Sequence, residues 1–267
     1  MIQNRAGRSG CNLLRACPVF YSRKPMKKFM FISFMVVTRV LGDGPLLALF
    51  YFLYIQRSGT GGFTDILFNA AIFVIWAFLH SLLATPKLKN DVARKFGEEY
   101  VRGLYVMVSG VTLSVVMYLW RPVRGELWHF VGPMYWVMAI FYLVVIALIL
   151  YTTLSFDYFG FIGNRAILRK MRHLPPKPAV FSVKGPYAYC RHPMYLLVML
   201  SFWVAPVMSY SRLEFAVLGC IYFLLGTFHE EKNLRRELGE VYDVYRNNVP
   251  MWFPRITPWM PDTMGKK

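Results

Sequence analysis

Long apolar stretches alternate along this chain with short polar ones that are rich in lysine and arginine. Six apolar runs can be read, at about residues 29–55, 66–83, 101–120, 131–154, 193–211 and 213–229. Most approach the roughly 20 residues a helix needs to cross about 30 Å of hydrocarbon. The last two are short and meet at "SYSR", and Pro206 in "FWVAPVMSY" should kink or break the fifth, so a short tilted hairpin is one expectation for the pair. Beyond them, Leu234, Leu238, Val241, Tyr242 and Tyr245 share one helical stripe, as in an amphipathic helix that lies on a membrane or covers a site. The pattern predicts an all-α, polytopic integral membrane protein with about six transmembrane helices and a cytoplasmic amphipathic helix near the C-terminus.

Composition sharpens this picture. The chain is 56% apolar and carries a formal charge of +17, a balance that could suggest nucleic acid, yet a basic nucleic-acid binder would not carry several membrane-length runs. Topology accounts for the charge instead. With the N-terminus inside, 26 lysines and arginines fall in inner segments and 4 in outer loops, with Arg39 left inside the first run. The positive-inside rule then places both termini in the cytoplasm and removes the need for a nucleic-acid partner; membrane lipids are the expected surroundings. Arg39 and Asp43 stand at i, i+4, a spacing at which the two charges can neutralise each other on one helix face.

Residues 1–25 are polar and basic with no sustained apolar period, and Met26 opens "MKKFMFISFMVV" like a start site; residues 1–25 are expected to be a disordered extension. Residues 26–183 then form an N-terminal transmembrane region with substrate-pocket elements, residues 184–254 a cofactor-binding core, and residues 255–267 a tail. Cys11, Cys17, Cys190 and Cys220 form no CxxC pair, and the histidines show no metal-ligand spacing, so neither a disulfide framework nor a metal site is expected.

Chemistry concentrates at "GPYAYCRHPMYL", residues 185–196. Gly185-Pro186 is turn chemistry, and Pro193 suits the first turn of a helix, where its missing N–H has no intrahelical partner. The free amides of that helix start, its dipole, Arg191 and His192 would make a positive mouth for an anionic group. An interfacial aromatic belt is the plainer account of Tyr187, Tyr189 and Tyr195. Two adjacent carboxylates, Glu230 and Glu231, follow the last apolar run, and they weigh against mere anchoring to an anionic surface. Successive helical residues are about 100° apart, so one of the two should face a ligand while the other pairs, most simply Glu231 with Arg235 at i+4. A basic, aromatic mouth facing a carboxylate suits a zwitterion such as S-adenosylmethionine. The chain has no glycine-rich fingerprint in a βαβ context, so helices and loops would have to hold it.

"GPYAYCRHPMYL", followed some way on by "HEEKNLRRELGEVYDVYRNNVP", resembles the C-terminal half of the isoprenylcysteine carboxyl methyltransferase-like, NnrU-related superfamily of integral-membrane methyltransferases. "HSLLATPKLK", "TTLSFDYFGF", "SFWVAPVMS" and "VPMWFP" are similar to its bacterial methanethiol S-methyltransferase branch. The resemblance implies a bacterial inner-membrane enzyme that transfers a methyl group from S-adenosylmethionine to a small thiol, giving dimethyl sulfide where that thiol is methanethiol. It also implies that the cofactor is held by Lys184, Gly185 and Tyr187, by Arg191, His192, Pro193, Tyr195 and Leu196, and by Glu230 or Glu231. Leu197 stands where the family often has glycine, and "GFIGNR" departs from its usual pattern.

A thiol is a weak acid, comparable with or weaker than cysteine, so the site must favour thiolate or accept a proton during attack. His80, Asp157 and Glu231 are the catalytic candidates; the plainer readings are a structural histidine, a helix-end carboxylate and an ion-paired glutamate. Methylation of a lipid or of an isoprenylcysteine carboxylate is the alternative reaction, and a non-catalytic membrane transporter or partner protein is the alternative of another class.

Overall fold

The computed structural model describes residues 28–155, 157–175, 181 and 183–260; the expected N-terminal extension lies outside them. Their helices are α1 (Lys28–Ile55), α2 (Phe63–Leu83), α3 (Pro86–Phe96), α4 (Glu98–Leu119), α5 (Gly132–Ser155), α6 (Tyr158–Phe161), α7 (Asn164–Met171), α8 (Pro193–Trp203), α9 (Tyr210–Leu238) and α10 (Glu240–Asn248). Five of these, α1, α2, α4, α5 and α9, are long and apolar enough to cross a membrane, and the chain is a helical integral membrane protein.

The fifth apolar run does not reach residue 211. Its helix α8 ends at Trp203, and 11 residues rise only about 16 Å, half a bilayer core. Residues 204–206 continue without helix, and β2 (Val207–Ser209) pairs antiparallel with β1 (Glu126–His129). This ribbon, together with the Gly61–Val123 bridge, ties three of the connecting loops together at one end of the bundle. Pro206 accounts for the interruption, because it cannot donate to a helical ladder.

The carbonyls freed where α8 stops are collected by Arg212. Its fully buried guanidinium donates to the carbonyls of Ser201 (2.7 Å), Phe202 (3.0 Å) and Val204 (3.3 Å), and to that of Leu53 in the last turn of α1. It also lies over the Tyr142 ring, 5.4 Å from the centroid. A cation at two helix C-termini meets both their unpaired carbonyls and their negative dipole ends.

The α1–α4 crossing depends on missing side chains. Pro45 leaves the Leu41 carbonyl without its intrahelical donor, and a Cβ on Gly110 would run into that oxygen. A Cβ on Gly103 would meet the Phe34 ring at 2.6 Å. Glycine at these points lets the two backbones approach. Arg39 and Asp43 pair as their spacing predicts, at 3.5 Å, and both also bond to the Tyr158 hydroxyl, which fastens α1 to α6.

The amphipathic stripe is not one helix. Gly239, at φ +56°, breaks it, so that Leu234 and Leu238 end α9 while Tyr242 and Tyr245 belong to α10 and pack with Val249, Phe181, Val183 and Trp259. These residues cover the segment before α8, at the end of the bundle opposite the β-ribbon.

Candidate functional site

Gly185 adopts φ +54°, a conformation that favours glycine, and opens a single 3-10 turn, Gly185–Ala188. Pro193 occupies the first turn of α8, with His192 at its N-cap. Lys184 and Gly185 are exposed, Tyr187, Tyr195 and Leu196 half-buried, and Arg191, His192 and Pro193 buried. The segment after α10 holds this loop in place. The amides of Arg191 and His192 donate to the carbonyls of Pro250 (2.9 Å) and Met251 (3.2 Å), and those of Arg255 and Trp259 donate to Tyr189 (3.0 Å) and Ala188 (2.9 Å). Burial pushes the Cys190 thiol up to about 11, so it stays protonated near neutral pH and is a poor nucleophile.

Glu231 is the hub beneath the loop. Arg191 Nε donates to its Oε1 (2.8 Å) and Nη2 to its Oε2 (3.2 Å), His192 Nε2 lies 2.8 Å from Oε1, and the Tyr242 hydroxyl donates at 2.7 Å. The remaining reach of Arg191 goes to the carbonyls of Arg246 (2.9 Å) and Val249 (2.6 Å). Burial first, and then the carboxylate it bonds, raise the Tyr242 phenol above its ordinary value. The i+4 partner expected from spacing is not used, since Arg235 pairs with Asp243 at 2.9 Å. The loop and α10 bring nearer donors to the buried carboxylate, and a surface pair contributes little by comparison.

Glu230 sits on a different face of α9, its side chain 42% exposed and its Oε2 3.9 Å from His192 Nδ1. That oxygen is buried without a hydrogen-bond partner among the described residues. Tyr187, Tyr195 and Arg102 lie within electrostatic reach of its carboxylate. Burial, with the Glu230 charge second, pushes Tyr187 up to about 12.

His80, near the end of α2, bonds through Nε2 to the Tyr105 hydroxyl at 2.7 Å. Its ring stacks on Trp76, with centroids 5.3 Å apart, and meets Tyr222 edge-on at 6.1 Å. Rings continue from Tyr222 to Phe223, Tyr195 and His192 at centroid spacings of 5.3 to 6.3 Å. These rings, and Arg102, which acts on both His80 and Glu230, connect the His80 cluster to the Glu230 face. Asp157 makes its contacts elsewhere, capping α6 through the Gly160 amide (3.0 Å) and pairing with Arg165 (2.5 Å). The link from its segment to the site is indirect: the Phe161 carbonyl accepts from Arg102 Nε at 2.6 Å.

Arg102, Tyr105 and Tyr222 were not legible as site residues. Arg102 counts among the basic residues of an inner loop, and the two tyrosines sit inside apolar runs. The signal was a polar group recurring on one face near the inner ends of several spans, and it emerges only once α2, α4 and α9 are packed.

The sequence matches the model of the NnrU protein family over residues 68–205, from α2 to just past α8. It is 31% identical to a protein of Crocosphaera subtropica called methanethiol S-methyltransferase, over 72% of this chain and 76% of that protein. A Pseudomonas protein of the same name is 32% identical over 71% of this chain and 74% of its own length. Pig nurim is 30% identical over 62% of this chain and 67% of that protein. No solved structure matches. With a family match that covers more than half of its length and relatives that span seven-tenths of it, the chain belongs to the NnrU protein family.

Proposed function

We propose that this chain is an integral-membrane methyltransferase that uses S-adenosylmethionine to methylate a small thiol, with methanethiol as acceptor and dimethyl sulfide as product. The observation that carries this reading is the similarity, over seven-tenths of the chain, to proteins named methanethiol S-methyltransferase. The site's own chemistry supports it. The unpartnered oxygen of Glu230 suits the ammonium of the methyl donor, and the rings of Tyr187 and Tyr195 offer faces for the adenine and the sulfonium. The amides at the start of α8 suit its carboxylate. Arg191 and Glu231 hold the loop in shape, their charges being satisfied by each other and by backbone carbonyls. When bound, the sulfonium supplies the activated methyl. Displacement joins thiolate to sulfonium and removes charge, so a dry, aromatic pocket favours it, and holding two small reactants in line supplies several kcal/mol more.

The site would face the cytoplasm of a bacterial inner membrane, with both termini on that side, as the 26 to 4 division of basic residues supports. The acceptor is tested by giving purified protein S-adenosylmethionine with a labelled methyl group and, in turn, methanethiol, a prenylcysteine and phospholipid. Label in the volatile sulfide is expected; label confined to lipid or prenylcysteine would replace the thiol reading.

A further inference from the structure

Two buried polar atoms on adjacent, stacked rings have no hydrogen-bond partner among the described residues: Nε1 of Trp76 and Nδ1 of His80. A buried polar nitrogen without a partner is rare, because it forfeits a hydrogen bond to water and gains none in return. An indole donor and an imidazole nitrogen so placed in one cluster would suit a small guest with polar groups for both. The surroundings say what kind. Trp76, Tyr105, Tyr222 and the His80 ring make an aromatic cluster with Arg102 at its edge, a setting that disfavours a cation and suits a small neutral molecule. The guest must accept from an indole N–H and exchange a proton with an imidazole.

We infer that this cluster is the acceptor subsite, in which Trp76 binds the thiol sulfur, His80 Nδ1 takes its proton and Tyr105 is the positioning residue that fixes the imidazole. The inference rests on the proposed function. Tyr105 meets Nε2 at 2.7 Å; with Nε2–H donating to the phenolic oxygen, Nδ1 is left as a buried lone pair without a donor among the described residues. In the reaction the S–H proton moves to Nδ1 and the sulfur pair forms a bond to the methyl carbon. The bond from that carbon to the sulfonium breaks, its electron pair leaves with the departing thioether, and imidazolium then returns the proton to solvent. The Trp76 N–H steadies the sulfur while it carries negative charge.

The groups that face His80 come from several elements. On α4, Arg102 is the nearest cation, over the Tyr105 ring at 5.5 Å. On α9, Tyr222 faces the ring and donates to or accepts from Ser81 at 3.2 Å. Lys89 of α3 and Glu230 of α9 act at one remove, through Arg102. The base must be unprotonated to work, so activity falls as pH drops, and replacing His80 should remove that acid limb.

The test uses the full chain in detergent micelles, labelled with nitrogen-15 at histidine and assigned by difference against His80→Asn. The spectrum should show His80 as the Nε2–H tautomer near neutral pH, a mixture of tautomers in Tyr105→Phe, and a shift of the His80 resonances on adding methanethiol. In turnover, Trp76→Phe should raise KM for methanethiol about tenfold, and Tyr105→Phe should lower kcat with KM for S-adenosylmethionine unchanged. His80→Asn should lose about a hundredfold in kcat together with the acid limb. Calorimetric binding of S-adenosylhomocysteine, unchanged in all three variants, shows that they fold. A chain that methylates methanethiol while its His80 resonances ignore the thiol, or whose His80→Asn variant keeps the acid limb, overturns this subsite and leaves the proposed reaction standing. A wild-type chain that methylates no thiol overturns both.

Discussion

Arg191 and Glu231, forty residues apart, meet in a two-pronged ion pair at 2.8 and 3.2 Å, and through it the loop before α8 is clamped to α9. Both side chains are almost wholly buried. Removing one member of a buried pair strands the other charge, at a cost of about 3–5 kcal/mol. Glu231→Gln should therefore lower thermal stability markedly in detergent, read by tryptophan fluorescence. Arg191→Lys should also do so, because an ammonium cannot reproduce the planar fork that serves Glu231 and two carbonyls at once.

Glu230→Gln should show the opposite profile. Its carboxylate is part-exposed and meets α8 only through a long 3.9 Å approach to His192 and the Tyr195 hydroxyl, so the melting temperature should stay near that of the unaltered chain while affinity for S-adenosylhomocysteine falls about tenfold, the loss expected for one charged hydrogen bond. Calorimetry on both variants separates the two glutamates: equal losses of affinity without loss of stability would contradict the division of labour.

Gly110→Ala should destabilise the bundle although alanine is the better helix former. The added methyl points at the carbonyl that Pro45 leaves free in α1, and relieving that clash means separating α1 from α4, at about 1–3 kcal/mol. Gly44→Ala, in the same helix as Pro45 but with nothing within 4 Å of the new methyl, should be neutral or slightly stabilising by comparison. Paired denaturation curves check the contrast.

Four of the five long helices were legible to within about three residues, because each must present an apolar surface long enough for a bilayer; α9 starts close to its expected place but runs to Leu238, nine residues past the apolar run that ends at 229, because its polar last turns continue the helix beyond the bilayer. The β-ribbon was not legible. Val207, Met208 and Ser209 read as the tail of an apolar run, and their pairing with Glu126–His129 depends on where Arg212 and Pro206 stop α8. The loop at Gly185 and the start of α8 at Pro193 were readable, since glycine and proline act locally. The two glutamates were recognised as a pair with divided roles, but spacing alone suggested Arg235 for Glu231, while long-range folding supplied Arg191, His192 and Tyr242. Arg102 and Tyr105 were missed for the same reason, as their importance comes from α2 and α9 rather than from their own neighbours in sequence.

Arg212→Leu should lower stability by several kcal/mol. It would leave the carbonyls of Ser201, Phe202, Val204 and Leu53 without donors in a buried setting, at about 1–3 kcal/mol for each that water cannot reach. Arg212→Lys should recover only part of the loss, because three donors on one nitrogen cannot span four carbonyls on two helices. Thermal unfolding followed by circular dichroism reads both variants.

The proposed reaction itself is tested most directly with purified protein in lipid nanodiscs, given S-adenosylmethionine and methanethiol in a sealed vial. Headspace gas chromatography measures dimethyl sulfide while liquid chromatography measures S-adenosylhomocysteine. The two products should rise together in equal amounts and should fall together in Glu230→Gln at limiting S-adenosylmethionine. S-adenosylmethionine left unconsumed, or consumed with no dimethyl sulfide above a protein-free control, would contradict the assignment of this chain as a thiol methyltransferase.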